Sequence, residues 1–168
     1  PAAPLRARRR TGGRGSGVIE VATAAAMRDL GERLASVCMV GDVIALEGEL
    51  GAGKTTFTQG FAVGLGVTEP ITSPTFVIAR VHPGTRTDLV HVDAYRVGTR
   101  AELDDLDLPV ERSVTVVEWG GDVVDLLAAD PLVVHLVRRD DDAREVRITA
   151  SAAWQSRLAP DRKSTRLN

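Results

Sequence analysis

Between residues 18 and 158 the apolar positions follow two rhythms. Met27, Leu30, Leu34, Val37 and Cys38 recur at three- and four-residue steps behind Thr23, whose hydroxyl suits an N-cap, so residues 24–39 are predicted to form an amphipathic helix. Gly41-Asp42 breaks that rhythm, and Val43–Leu46 is too short for a helix and predicts a buried strand. A glycine-rich loop follows at Gly48, running into a helix that stops at Gly64–Gly66. Beyond Pro70 the segment Thr72–Val81 predicts a loop and then a strand, and Leu89–Val92 and Val114–Val117 predict two further strands. The acidic stretch 100–112 is expected to be partly helical, and a short helix is expected around Val123–Ala129, ahead of Pro131. Leu132–Val137 and Glu145–Ile148, joined by Asp140-Asp141-Asp142, predict an antiparallel hairpin at the edge of a sheet. Strands alternating with helices predict an α/β three-layer sandwich with a mostly parallel central sheet.

A chain of 168 residues suits one domain, which is expected to span 18–158. With 43% apolar and 26% charged residues it has the balance of a folded protein. No run approaches the roughly 18–20 apolar residues of a membrane span. One cysteine, Cys38, leaves no internal disulfide and fits a reduced, cytoplasmic protein. The net charge of −2 conceals a division. Residues 1–17 carry five arginines and no acid and are expected to be a disordered basic extension. Residues 159–168 are expected to be a tail, disordered or an assembly artefact, because DRKSTRLN resembles a translated sequencing adapter. Residues 18–160 carry 22 acids against 13 bases. Such an acidic body makes a poor broad surface for nucleic acid, so any polyanion must be captured locally, by backbone amides and a few placed charges.

The loop supplies such a place. Gly48-Glu49-Leu50-Gly51-Ala52-Gly53-Lys54-Thr55 fits G-x-x-x-x-G-K-[ST], with a predicted strand before it and a predicted helix after it. Glycines at 48, 51 and 53 let successive amides turn inward on a phosphate, and the helix start adds unpaired N–H groups. In this pattern the Lys54 ammonium serves the β- and γ-phosphates and the Thr55 hydroxyl ligates Mg²⁺. Of 21 basic residues only Lys54 and Lys163 are lysine, and a compact ammonium fits a tight loop where a guanidinium fork does not. Asp93 and Glu118 each close an apolar strand, where ligands gather in parallel sheets. One is expected to hold the metal or its water and the other to orient the attacking water; which does which stays open.

Four blocks in order, GELGAGKTT, Ser73-Pro74-Thr75-Phe76, His91–Arg96 (HVDAYR) and Glu118-Trp119, resemble the TsaE (YjeE) family across about residues 18–150. The resemblance implies a P-loop NTPase-like fold and a Mg-dependent ATPase required for threonylcarbamoyl-adenosine modification of tRNA. It implies coupling of ATP hydrolysis to turnover of the TsaB–TsaD complex, with tRNA met only through that complex. It also implies roles for residues. Lys54, Asp93 and Glu118 are expected to be catalytic, with Thr55, Asp93 and Glu118 at the metal. Glu49, Leu50, Gly51, Ala52, Gly53, Lys54, Thr55 and Thr56 would line the phosphates, and Thr75 would face the γ-phosphate from a switch-type loop. Thr23, Ala24, Ala143 and Arg144 would hold the nucleobase, and Tyr95, Arg96 and Trp119 would lie near the nucleotide or a partner. Two departures stand out: Glu49 where aspartate is usual, and Met27 where a threonine is common.

Plainer readings stand beside these. His91 alternates with apolar neighbours and reads as a core histidine, Trp154 reads as packing, and the acids from Glu102 to Asp107 read as a solvated helix face. A small-molecule kinase usually needs an arginine-bearing lid, and no Arg-rich insert follows the loop's helix. A GTPase would need [NT]-K-x-D, and the body has no lysine but Lys54. A non-catalytic nucleotide sensor remains open.

Overall fold

The computed structural model describes residues 15–74, 78–121 and 123–159. Among these residues seven strands form one sheet: β1 (Gly15–Val21), β2 (Val43–Glu47), β3 (Ala79–His82), β4 (Leu89–Asp93), β5 (Val114–Glu118), β6 (Leu132–Arg138) and β7 (Arg144–Ala150). Their spatial order is β1-β7-β6-β2-β5-β4-β3. The middle four, β6-β2-β5-β4, are parallel, and β3, β7 and β1 pair antiparallel with their neighbours. Among the described residues the α-helices α1 (Ala24–Val37), α2 (Lys54–Gly64), α3 (Arg100–Asp105), α4 (Val124–Leu127) and α5 (Ala152–Leu158) complete the layers.

Alternation along the central strands builds two cores. Ile44 and Leu46 of β2 point to one face with Val114 and Val116 of β5, under Leu30, Leu34, Phe57 and Phe61 of α1 and α2. Val43, Ala45, Val90, Val92 and Val117 point to the other, under Leu103, Val123 and Val124. Both faces of the middle strands are thus covered, as a parallel sheet requires. Phe57 and Phe61 have no exposed surface, and each contributes about 1.5–3 kcal/mol of burial. Cys38 is buried too, and that burial pushes its thiol up to about 12, so it behaves as a small apolar residue.

Helices α1 and α2 lie close because glycines face the contact. A Cβ on Gly31 would sit 2.3 Å from the Phe57 carbonyl oxygen, and one on Gly60 only 2.0 Å from that of Arg28. Backbone cannot give way as a side chain can, so Gly60→Ala must push the helices apart. The expected cost is about 1–3 kcal/mol or more, read as a lower urea midpoint.

Several features depart from the sequence expectation. Helix α1 ends at Val37, two residues early, because Arg86 donates to the carbonyls of Ala35 and Cys38 (2.5 Å each) and closes the terminus. The β6–β7 hairpin forms but is not the edge: β1 pairs with β7 along its whole length. That strand begins at Gly15, inside the segment assigned to the extension, because β7 offers a ladder that the local Gly-Ser-Gly sequence does not advertise. Residues 1–14 and 160–168, which carry the rest of the two terminal expectations, lie outside the described residues. The 100–112 stretch is helical only in part: Thr99 and Glu102 form a reciprocal capping box on α3, and its acids are exposed. Trp154 packs as expected, 1% exposed, with its indole donating to the Asp130 carbonyl. Among the described residues no helix is long and apolar enough to cross a membrane.

Candidate functional site

The loop between β2 and α2 lies at the carboxyl end of the parallel strands, where open α/β sheets bind ligands. Gly48 passes so close to β6 that a Cβ would meet the Leu136 carbonyl oxygen at 2.7 Å. Gly51 and Gly53 hold φ of +81° and +105°, values that side chains disfavour, and Gly53 serves as the N-cap of α2. Lys54 is the first residue of that helix and is buried. Its ammonium donates to the carbonyls of Gly48 (2.6 Å) and Glu49 (3.1 Å) and lies 4.1 Å from the centroid of the Trp119 ring. Burial lowers the Lys54 pKa from its ordinary value, while the carboxylates of Glu118, Asp93 and Glu47 oppose that shift. Thr55 and Thr56 follow on the first turn, half-buried, whereas Leu50 at the loop tip is 94% exposed.

The two strand-terminal acids meet. Asp93 and Glu118 are register partners across β4 and β5, on adjacent strands, and both are buried. Asp93 Oδ1 accepts from the Tyr95 amide and so also caps the 3-10 turn Ala94–Arg96. Glu118 Oε1 lies 3.1 Å from His91 Nε2, and Oε2 accepts from the Ser73 hydroxyl at 3.3 Å. Trp119 holds φ +58°, a costly conformation for a bulky residue, with its amide on the Leu46 carbonyl. The Tyr95 and Trp119 rings pack in a T-shaped pair with centroids 5.5 Å apart. Oxygen donors alone, one hydroxyl and two carboxylates, make a set suited to a hard cation such as Mg²⁺. Among the described residues no group of three or more His, Cys, Asp or Glu could hold a metal by itself.

A second recess of about 110 Å³ opens beside the loop, lined by Thr23, Ala24, Met27, Gly53, Thr56, Asp142 and Arg144 among others. Thr23 accepts from the Ala26 amide and caps α1, which fixes this corner. Arg144 reaches across to donate to the Gly51 carbonyl (3.2 Å), tying the β6–β7 turn to the loop tip, and also bonds the Asp142 carbonyl. Met27 sits against Gly53, its Cε 3.3 Å from where a Cβ would stand. A separate, mostly apolar groove of about 580 Å³ between α1, α5, β1 and β7 touches none of these residues.

The structure therefore groups the sequence candidates in two places: Lys54, Asp93, Glu118 and Trp119 together, and Thr23, Ala24, Thr56 and Arg144 beside the loop. Thr75 lies outside the described residues. Sequence reasoning missed Glu47, whose signal was its place as the last residue of β2 directly before the loop. It missed Asp142, noticed only as part of an acidic turn, and the contact of His91 with Glu118, which depends on register.

A seven-stranded α/β sandwich with this loop at the carboxyl ends of its strands is of the P-loop NTPase-like class. The family model described as threonylcarbamoyl adenosine biosynthesis protein TsaE matches residues 21–146. A protein of Streptomyces coelicolor, named tRNA threonylcarbamoyladenosine biosynthesis protein TsaE, is 55% identical over 127 residues, covering 72% of this chain and 86% of its own. A Bacillus subtilis protein of the same name is 43% identical over 111 residues, 66% of this chain and 70% of its own. The crystal structure of Bacillus subtilis YdiB superposes with a TM-score of 0.74 at 31% identity, covering 88% of this chain and 94% of that one. The chain belongs to the TsaE family.

Proposed function

We propose that this chain is a Mg-dependent ATPase of the cytoplasm that serves threonylcarbamoyl-adenosine modification of tRNA, coupling ATP binding and hydrolysis to turnover of the TsaB–TsaD complex. One observation carries the reading: the buried Lys54 ammonium stands at the head of α2, inside a glycine-shaped loop, with two buried carboxylates paired in register on β4 and β5. The names of the relatives support the tRNA pathway.

In this reading the amides of Gly51 to Thr55 and the dipole of α2 hold the phosphate tail. Lys54 exchanges its bonds to the Gly48 and Glu49 carbonyls for phosphate oxygens. Thr55 with Asp93 or Glu118 holds Mg²⁺, which when bound neutralises charge on the phosphates. The other carboxylate aligns water for in-line attack. Arg144 and the α1 N-terminus frame the base. Trp119 and the exposed Tyr95 stand at the rim, where a partner can complete the site, so the isolated chain is expected to be slow. The test is phosphate release from ATP and from GTP, with and without purified TsaB–TsaD. The proposal predicts a slow, ATP-selective rate that changes when the complex is added. Equal use of GTP, or no phosphate release under any of these conditions, contradicts it.

A further inference from the structure

We infer that His91 is a positioning residue for Glu118, holding its carboxylate through a proton fixed on Nε2. The kinetic consequence rests on the ATPase reading above; the tautomer rests on geometry alone. His91 lies mid-strand in β4 with no exposed surface, and Glu118 is 3% exposed. Its Nε2 stands 3.1 Å from Glu118 Oε1, while its Nδ1 is buried without a hydrogen-bond partner among the described residues.

A neutral imidazole carries one proton, and its two possible sites differ sharply here. On Nδ1 the proton would be a buried donor with no acceptor, and the bare Nε2 would face the lone pairs of Oε1. Both faults cost free energy. On Nε2 the same proton makes a hydrogen bond to Oε1, and the buried Nδ1 is merely an acceptor. The geometry therefore selects the Nε2–H form.

Packing alone does not account for a histidine at this position. A leucine would fill much the same space without burying a polar nitrogen that finds no partner. The gain must lie at Nε2, on Glu118. His91 is well placed to be the fixed side of that contact. Its backbone pairs with Arg80 of β3 and Val116 of β5, and its ring stacks at a tilt 6.5 Å from that of His82. His82 is held in turn by Glu69, 2.5 Å from its Nδ1. The opposing contact on Oε2 comes from Ser73, in the irregular segment after α2. Glu118 is thus gripped from the rigid strand on one side and from a loop on the other.

Long-range ¹H–¹⁵N correlation of the imidazoles in the full chain reads the tautomer directly, with His91 assigned by its disappearance in His91→Gln. The expected pattern is Nε2–H, and any proton on Nδ1 overturns the inference whether or not the protein hydrolyses ATP. In ATPase assays His91→Leu is expected to lower kcat about 10- to 100-fold with KM for ATP little changed. His91→Gln, whose amide nitrogen reaches the Nε2 position, should recover most of that loss. His91→Leu added to Glu118→Gln should cost nothing further, whereas an equal loss in both backgrounds contradicts the role. A wild-type chain that hydrolyses nothing defeats the ATPase proposal and leaves the tautomer measurement to decide this one.

Discussion

Lys54→Ala should abolish measurable ATP binding while leaving the fold intact. The ammonium is the cation at the centre of the loop, and it already makes two hydrogen bonds there, to Gly48 and Glu49. Each hydrogen bond from a charged donor is worth about 1.5–3 kcal/mol, so losing two toward phosphate weakens affinity by at least about 100-fold. A second effect acts in the same direction. Glu118, Asp93 and Glu47 all act on Lys54 electrostatically, and without it they would confront a polyanion uncompensated. The fold should survive because the hydrogen bonds Lys54 makes are to carbonyls of the loop itself, Gly48 and Glu49, and tie no layer of the fold together. Calorimetric titration with Mg-ATP, beside thermal unfolding of the same variant, separates the two outcomes. Near-normal affinity in Lys54→Ala would remove the phosphate-loop assignment.

Asp93→Asn and Glu118→Gln should have the opposite signature: ATP still binds, and turnover falls. The replacements keep shape and hydrogen-bonding capacity. The amide oxygen that replaces the Asp93 carboxylate can still accept from the Tyr95 amide, and the one that replaces the Glu118 carboxylate can still accept from Ser73 or His91. What they lose is negative charge beside the reacting phosphate and the ability to take a proton or hold a metal firmly. Losses of about 10²–10⁴ are usual when a positioned acid–base group is removed, and about 100-fold or more is expected for each variant here. Phosphate release at saturating Mg-ATP measures it. Two variants with wild-type rates would dispose of the acidic-pair account.

How far the sequence revealed this depended on whether a feature is local. The loop was fully legible, since its glycines, Lys54 and Thr55 are contiguous and a preceding strand and following helix suffice to orient them. Asp93 and Glu118 were legible as strand-ending acids, but their pairing is a matter of register across β4 and β5, which no single segment encodes. The same blindness hid the role of His91: its alternation with apolar residues reported burial correctly and was silent about the carboxylate one strand away. Strand β1 went unseen because Gly15–Gly17 have little strand propensity and the whole strand is ordered by pairing with β7. The early end of α1 came from Arg86, 48 to 51 residues downstream of the carbonyls it binds. Each miss is a tertiary contact overriding a local preference, and each correct reading rests on a pattern complete within a short stretch of chain.

If the bend from Gly48 to Thr55 receives the phosphates of ATP, residue-resolved NMR of the loop will show it. Titrating the ¹⁵N-labelled wild-type chain with Mg-ATP should move the backbone amides of Gly51, Gly53, Lys54 and Thr55 most, with smaller changes at Thr23 and Arg144. Amides of the loop that stay in place while ATP is present in large excess, or changes confined to a distant face such as the apolar groove beside α5, would contradict it.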